Sequence, residues 1–340
     1  MAQTNWVLLV LAALAVLGCT KKETPAPAAE EVAVEKEEPA AAAVEPLKPL
    51  PSSVEVNMDK VLLGRSLYHD TILSGDGTVA CVTCHSLDHG GAEPRKTSTG
   101  IGGQIGPINS PTVLNAGYNF VQFWDGRAKD LQEQAAGPVA NPIEMGANWD
   151  EVVERLKQNK EYAAAFAKLY EDGVTQANTT DAIAEYEKSL ITPSRFDKFL
   201  LGDENAITDA EKKGYATFKE VGCTACHTGI NVGGTMFQKM GLVKDYFAER
   251  GTPLTDADMG RFNVSKNPAE KHFFKVPSLR NIELTSPYLH DGSQSTLEAT
   301  VKIMGTHQLG RDLTDAEVNS IVTFLKSLTG ELPAHARPEG

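Results

Sequence analysis

One five-residue pattern occurs twice in this chain, as Cys81-Val82-Thr83-Cys84-His85 and Cys223-Thr224-Ala225-Cys226-His227. Two cysteines flanking two residues, with a histidine directly after, form the attachment pattern of c-type haem. Each thiol adds to a vinyl group of the porphyrin, and the adjacent histidine turns under the ring to become the proximal iron ligand. Other uses of paired cysteines fit less well. A thiol–disulfide centre has no need of a histidine after each pair. A Cys₂His₂ zinc site wants two histidines three to five residues apart, and His227 has no such neighbour, so that pattern does not account for both motifs. The motifs lie 142 residues apart, too far for one small cytochrome. The chain therefore reads as two domains with one covalent haem each. Cys81, Cys84, Cys223 and Cys226 are the anchors, and His85 and His227 the iron ligands.

A chain of 340 residues buries a proper core without a disulfide scaffold, and five cysteines are too few for one. The net charge of −13 argues against a nucleic-acid partner and against adsorption on an anionic lipid surface. The N-terminus has its own logic. Residues 6–18 form a 13-residue apolar run, short of a spanning helix and matching the core of an export signal. It ends Val16-Leu17-Gly18-Cys19, which resembles a lipoprotein cleavage site with Cys19 as the lipidated residue. Residues 1–5 lack the usual positive charge, so an uncleaved short anchor with an inert Cys19 is the alternative. Residues 20–53 are Ala, Pro, Glu and Lys without an aromatic residue, the composition of a flexible tether. That stretch carries −3, which leaves −10 for the rest. Export suits c-type haem, which is attached outside the cytoplasm. The expected location is periplasmic and membrane-anchored, with the outer membrane favoured because Thr20, rather than aspartate, follows Cys19.

The folded part reads as mainly α, with long loops. Thr208-Asp209-Ala210-Glu211 and Thr314-Asp315-Ala316-Glu317 are capping boxes, and Val318, Ile321, Val322, Leu325 and Leu328 follow the second at helical spacing. Further helices are expected over 149–170 and 180–191, the latter closed by Pro193. Residues 88–147 are rich in Gly, Pro and Asn, and a loop region that long is usually functional. The boundaries expected are 54–200 for the first haem domain and 201–332 for the second. A methionine at the sixth position of a haem iron raises its potential and suits it to electron transfer, whereas an open position admits substrate. Met304 is the candidate thioether for the second haem; Met236, Met240 and Met259 compete on sequence alone.

Over residues 57–330 the chain resembles the bacterial dihaem cytochrome c peroxidases. The resemblance rests on Leu73-Ser74, on Gly106-Pro107-Ile108-Asn109-Ser110-Pro111-Thr112, and on Gln122-Phe123-Trp124-Asp125-Gly126-Arg127. It continues through Gly137-Pro138 to Pro142-Ile143-Glu144-Met145, Leu279-Arg280-Asn281, Pro287-Tyr288-Leu289-His290-Asp291-Gly292 and Ile303-Met304-Gly305. It implies two cytochrome c-like domains packed across an interface. The N-terminal haem would be peroxidatic, and the C-terminal haem, held by His227 and Met304, the electron entry point. It further implies Glu144 as the catalytic carboxylate, Gln134 as a polar neighbour orienting peroxide, and Trp124 as the residue between the haems. Asn109 with the backbone oxygens of Thr285 and Pro287 would hold one calcium ion. Hydrogen peroxide is the expected substrate, a small cytochrome c or a blue-copper protein the expected donor, and a homodimer the borrowed assembly. Some members cap the resting peroxidatic iron with a loop histidine. Ile101 stands at that position here, and His89, the only histidine between His85 and His227, lies too close to the proximal ligand to swing across the ring. Competing readings are a two-haem relay without peroxide chemistry, a haem-based sensor, and the relative that oxidises tryptophan side chains, which has an axial tyrosine where this chain has Met304.

Overall fold

The computed structural model describes residues 45–338. The export-signal segment, Cys19 and most of the tether lie outside the described residues. Among the described residues, no helix is long and apolar enough to cross a membrane.

The architecture is mainly helical and is built on two crossed helix pairs. Met58–His69 packs on Gln176–Ser189, and Asp209–Glu220 packs on Asp315–Lys326. Glycine permits both crossings. A Cβ on Gly64 would lie 1.9 Å from the Ala182 carbonyl oxygen, and one on Gly214 would lie 2.1 Å from that of Ser320. The first pair closes two clusters of buried residues and the second pair one. Leu67, Tyr68, Ile183 and Tyr186 belong to the first half, and Phe218, Ile321, Phe324 and Leu325 to the second.

Helix ends follow the capping chemistry. Thr208 and Thr314 each accept from the backbone N–H three residues on, while Glu211 and Glu317 accept from the threonine N–H groups at 2.8 Å. The helix expected over 149–170 is two, Trp149–Gln158 and Lys160–Leu169. Asn159 divides them, because its side chain accepts from the N–H groups of Glu161 and Tyr162 and opens a new helix instead of continuing the old one. The helix expected over 180–191 begins earlier, at Gln176 behind a Thr175 cap, and ends at Ser189. Residues 88–147 consist mainly of turns around one helix, Leu131–Ala140. A two-stranded antiparallel sheet, Phe237–Lys239 with Phe273–Lys275, completes the second half.

The ends of the described chain depart from the expected boundaries. Residues 45–53, expected as the end of the tether, are folded instead: Leu47 is buried in the second core and Leu50 is buried beside Asp197. The Pro46 carbonyl accepts from Gly229 N–H at 2.9 Å, and Leu50 N–H donates to Asp197 at 2.7 Å. Conversely, residues 333–338 leave the second half for the first. The Ala336 carbonyl accepts from the Tyr186 hydroxyl, and the His335 and Arg337 carbonyls accept from Arg65. Helix Arg195–Leu200 lies before the expected boundary at 200, yet its Phe196 sits in the second core, and a buried bidentate pair, Asp197 with Arg280, at 2.9 Å for both bonds, ties it there. A polar seam runs beside it, in which the Asn115 and Asn281 amides both donate to the Thr192 hydroxyl.

Candidate haem centres

Each CxxCH segment follows the first helix of its crossed pair. The second begins at the C-terminus of helix 209–220, where Gly222 adopts a left-handed φ of +98° and turns the chain into Cys223. Here His227 Nδ1 is 3.4 Å from the Val232 carbonyl oxygen, and burial lowers its pKa to about 4. The ring is thus neutral, with Nε2 left for a metal. Val232 has a φ of +48°, unusual for a β-branched residue, and its carbonyl is the one that orients His227. In the first motif His85 Nδ1 is 3.1 Å from the Pro111 carbonyl oxygen, and burial again lowers the pKa. The cysteines are unpaired. Burial pushes the Cys81 and Cys223 thiols up to about 12 and Cys84 to about 11, the opposite of a reactive thiol–disulfide centre.

A largely apolar cavity in the second half brings together Cys223, Cys226, His227 and Met304. Met304 sits where helix Leu297–Ile303 passes into a single π-turn, Met304–Gln308. Of its competitors, Met240 also reaches the wall, packed among Tyr246, Phe247 and Phe274; Met236 and Met259 are not among the lining residues. Lys275 supplies a test of what the cavity can hold. It lines the cavity, is only 5% exposed, and makes no side-chain hydrogen bond or ion pair with the described residues. A buried, unpaired ammonium is costly. Burial lowers its pKa to about 8. Two thiols, a neutral histidine, a thioether and an orphaned cation fit a c-type haem with its anionic propionates.

Trp124 lies on the same cavity wall. Its indole N–H donates to the Asn109 carbonyl at 2.9 Å, and its own carbonyl accepts from Lys275 N–H at 2.8 Å. Phe274 and His290 meet the ring edge-on. Asn109 is two residues from Pro111, whose carbonyl faces His85. A three-residue segment therefore bridges the tryptophan at the second site and the histidine at the first. Asn109, Thr285 and Pro287 line one cavity. The Asn109 amide nitrogen donates to the Arg95 and Lys96 carbonyls, and no hydrogen bond from the described residues reaches its Oδ1 or the Thr285 and Pro287 carbonyls. That donor set is all oxygen and suits a hard cation. A different acidic cluster, Asp258, His290 and Asp291, is already neutralised by Arg250, whose guanidinium bonds Asp258 at 2.7 and 2.8 Å.

Two acids, Glu93 and Glu144, stand near enough to the first CxxCH for their charges to raise the Cys84 pKa. Glu144 stands in the turn after helix 131–140 and accepts from the Asn141 amide at 2.7 Å. Burial raises its pKa, partly opposed by Arg127 and Asn141. Its charge acts on Cys84, as does that of Glu93. Glu93 is buried and held by Ser98 and Ser110. Gln134 is half-buried on helix 131–140, and its side chain bonds to none of the described residues. Ile101 N–H donates to the Glu144 carbonyl at 2.9 Å, and its side chain packs over Gly146 in the first core. His89 is solvent-exposed. Sequence reasoning missed Glu93 and Lys275, because neither stands in a recognisable spacing; only their burial identifies them.

Residues 58–205 match the family described as di-haem cytochrome c peroxidase, and residues 211–329 match cytochrome c. A protein of Escherichia coli K12 named cytochrome c peroxidase is 50% identical over 84% of this chain, and the match spans 61% of that protein's length. A cytochrome c551 peroxidase of Nitrosomonas europaea is 48% identical, over 87% of this chain and 88% of the relative. Among solved structures, a MauG-like protein associated with microbial copper homeostasis superposes with a TM-score of 0.72 at 29% identity, covering 86% of this chain and 95% of its own. The chain belongs to the di-haem cytochrome c peroxidase family. It is an enzyme of that class, with the two c-type haems the family implies.

Proposed function

We propose that this enzyme reduces hydrogen peroxide to water at the first haem, H₂O₂ + 2e⁻ + 2H⁺ → 2H₂O, with electrons that enter through the second. The haems, when bound, supply the redox centre that cleaves the O–O bond and the store for the two electrons. The chain's residues supply the rest. His85 and His227 would hold the two haem irons, and Met304 would supply a second ligand to the one at His227. Glu144 accepts the proton of the inner peroxide oxygen at a carboxylate oxygen and returns it to the outer one, which makes water the leaving group. The Asn141 amide fixes that carboxylate, and Gln134 offers an amide to the bound peroxide. Trp124 and the Asn109–Pro111 segment carry electrons from one site to the other. Asn109, Thr285 and Pro287 hold a calcium ion that steadies this bridge. The donor is a small cytochrome c or a blue-copper protein, and a basic one suits the acidic surface. Cys19 carries a lipid that keeps the enzyme at the outer membrane, facing the periplasm.

The observation that carries this reading is the contrast between the sites. A thioether stands in the cavity of His227, whereas the first site presents Glu144 and, at the loop position where some relatives have histidine, Ile101. Stopped-flow mixing of peroxide with oxidised and half-reduced holoenzyme tests it. Rapid bleaching of the first haem's spectrum is expected; inertness in both states would leave only the relay.

A further inference from the structure

The two crossed helix pairs give each position in one half a counterpart in the other. Gly64 meets Ala182 and Tyr186 as Gly214 meets Ser320 and Phe324. This register pairs Tyr186 with Phe324, and hence Glu187 with Leu325. It superposes Lys188-Ser189-Leu190 on the identical Lys326-Ser327-Leu328. On the partner helices it pairs Tyr68 with Phe218. In the second half, Phe218 and Leu325 line the cavity of the CxxCH motif. In the first half the same two places hold a phenol and a carboxylic acid.

Glu187 is 5% exposed. The other four buried carboxylates among the described residues all have partners: Ser98 and Ser110 for Glu93, Arg280 for Asp197, Arg195 for Glu211, and Arg250 for Asp258. The Glu187 carboxyl has no hydrogen bond or ion pair with the described residues. The titratable groups that sense it are Tyr68 from helix 58–69, Cys81 from the CxxCH turn and Tyr186 beside it. Both phenols are engaged elsewhere, Tyr68 with the His85 carbonyl and Tyr186 with that of Ala336. Glu93 and Glu144 act on the other cysteine, Cys84. No cation pairs with Glu187, and burial pushes its carboxyl up to about 8. The cysteines bond the vinyl edge of the porphyrin, opposite the propionates, so an acid beside Cys81 is not placed to bind them. A leucine there would avoid the cost of burying a carboxyl, as Leu325 does.

Resting on the assignment of a haem to the first CxxCH, we infer that Glu187 is a proton-coupled acid of that haem's pocket, which lowers its potential relative to the second haem and takes up a proton as it is reduced. The step balances: one electron from the donor converts Fe³⁺ to Fe²⁺, and one proton from solvent converts the Glu187 carboxylate to the acid, so the charge of the pocket is unchanged. The second haem, with leucine in that place, has no such partner.

Spectroelectrochemical titration of the holoenzyme between pH 5.5 and 9, reading each haem by its own signal, tests this. In the wild type the first haem's potential should fall as pH rises, by up to one proton per electron. In Glu187→Gln that slope should vanish near neutral pH and the potential rise, with the second haem unmoved. A first-haem slope unchanged in Glu187→Gln, at full haem content, would overturn the inference, as would equal shifts of both haems. Glu187→Leu, which copies the second half, should act in the same direction and guards against an effect peculiar to the amide. Because potentials are read without peroxide, failure here is distinct from failure of the peroxidase reading.

Discussion

The two haem domains share a frame and differ in what fills it. Each crosses two helices over a glycine and follows the first with CxxCH. The second half fills its pocket with leucine, phenylalanine and methionine around one buried lysine. The first presents Glu93, Glu144 and Glu187 to its cysteines. An apolar wall with a soft sulfur suits a site that only passes electrons, since little around it must reorganise. A wall of carboxyls suits a site whose reaction consumes protons. On the proposed function, one scaffold is specialised twice, by a handful of side chains.

The contrast is broken most sharply at Glu144. Glu144→Gln should lower peroxide kcat about 10²–10⁴-fold without unfolding the protein. Its carboxyl must be ionised to accept a proton, and burial raises its pKa. In the wild type kcat/KM should therefore fall on the acid side, through a pKa above the ordinary glutamate value; the variant should lack that limb. An acid limb retained in Glu144→Gln would assign it to another group.

A second experiment separates the frame from its filling. Asp197→Asn leaves Arg280 buried without its charge partner and should cost about 3–5 kcal/mol in denaturant unfolding. Loss of less than ~1 kcal/mol would mean that apolar packing of Phe196, not this pair, holds helix 195–200 on the second core. Third, the resting first iron should show a high-spin fraction by electron paramagnetic resonance in the oxidised holoenzyme, because Ile101 offers no ligand. In Ile101→His that fraction should shrink in favour of a low-spin bis-histidine form that regains peroxide reactivity only after half-reduction. A wholly low-spin first haem in the wild type would remove the contrast. The smallest effect is expected at the caps. Thr208→Ala and Thr314→Ala should each cost about 1 kcal/mol of stability, equally in the two second-half helices.

Much of this was legible in the residues. CxxCH is local, and so are the capping boxes, which is why both haem motifs and the helices at 209 and 315 could be read directly. Glu144, Trp124 and Asn109 were legible only through the family's order of motifs, since nothing in their immediate neighbours marks them. What could not be read depends on distant partners. Leu47 and Leu50 look like stray apolar residues in a proline-rich stretch until Gly229 binds the backbone on either side of Leu47, at Pro46 and Lys48, and Asp197 accepts from Leu50 N–H. Asn159 is one polar residue in a helical run, and only its chosen rotamer makes it a divider. Lys275 and Glu187 resemble ordinary surface charges; their burial is a property of the fold. For Glu187 a signal existed, the Lys-Ser-Leu triplet common to both halves, which aligns it with a leucine.

The crossed ends of the chain have one more consequence. The start of the described polypeptide is laced into the later half at Gly229, and its finish into the earlier one at Tyr186. Neither lobe is therefore one uninterrupted stretch of the chain, and a cut near residue 200 would strip each of the end segment it borrows from the other. A truncated lobe would show a greasy furrow where Leu47 or Ala336 had lain, so neither lobe made alone keeps a whole core.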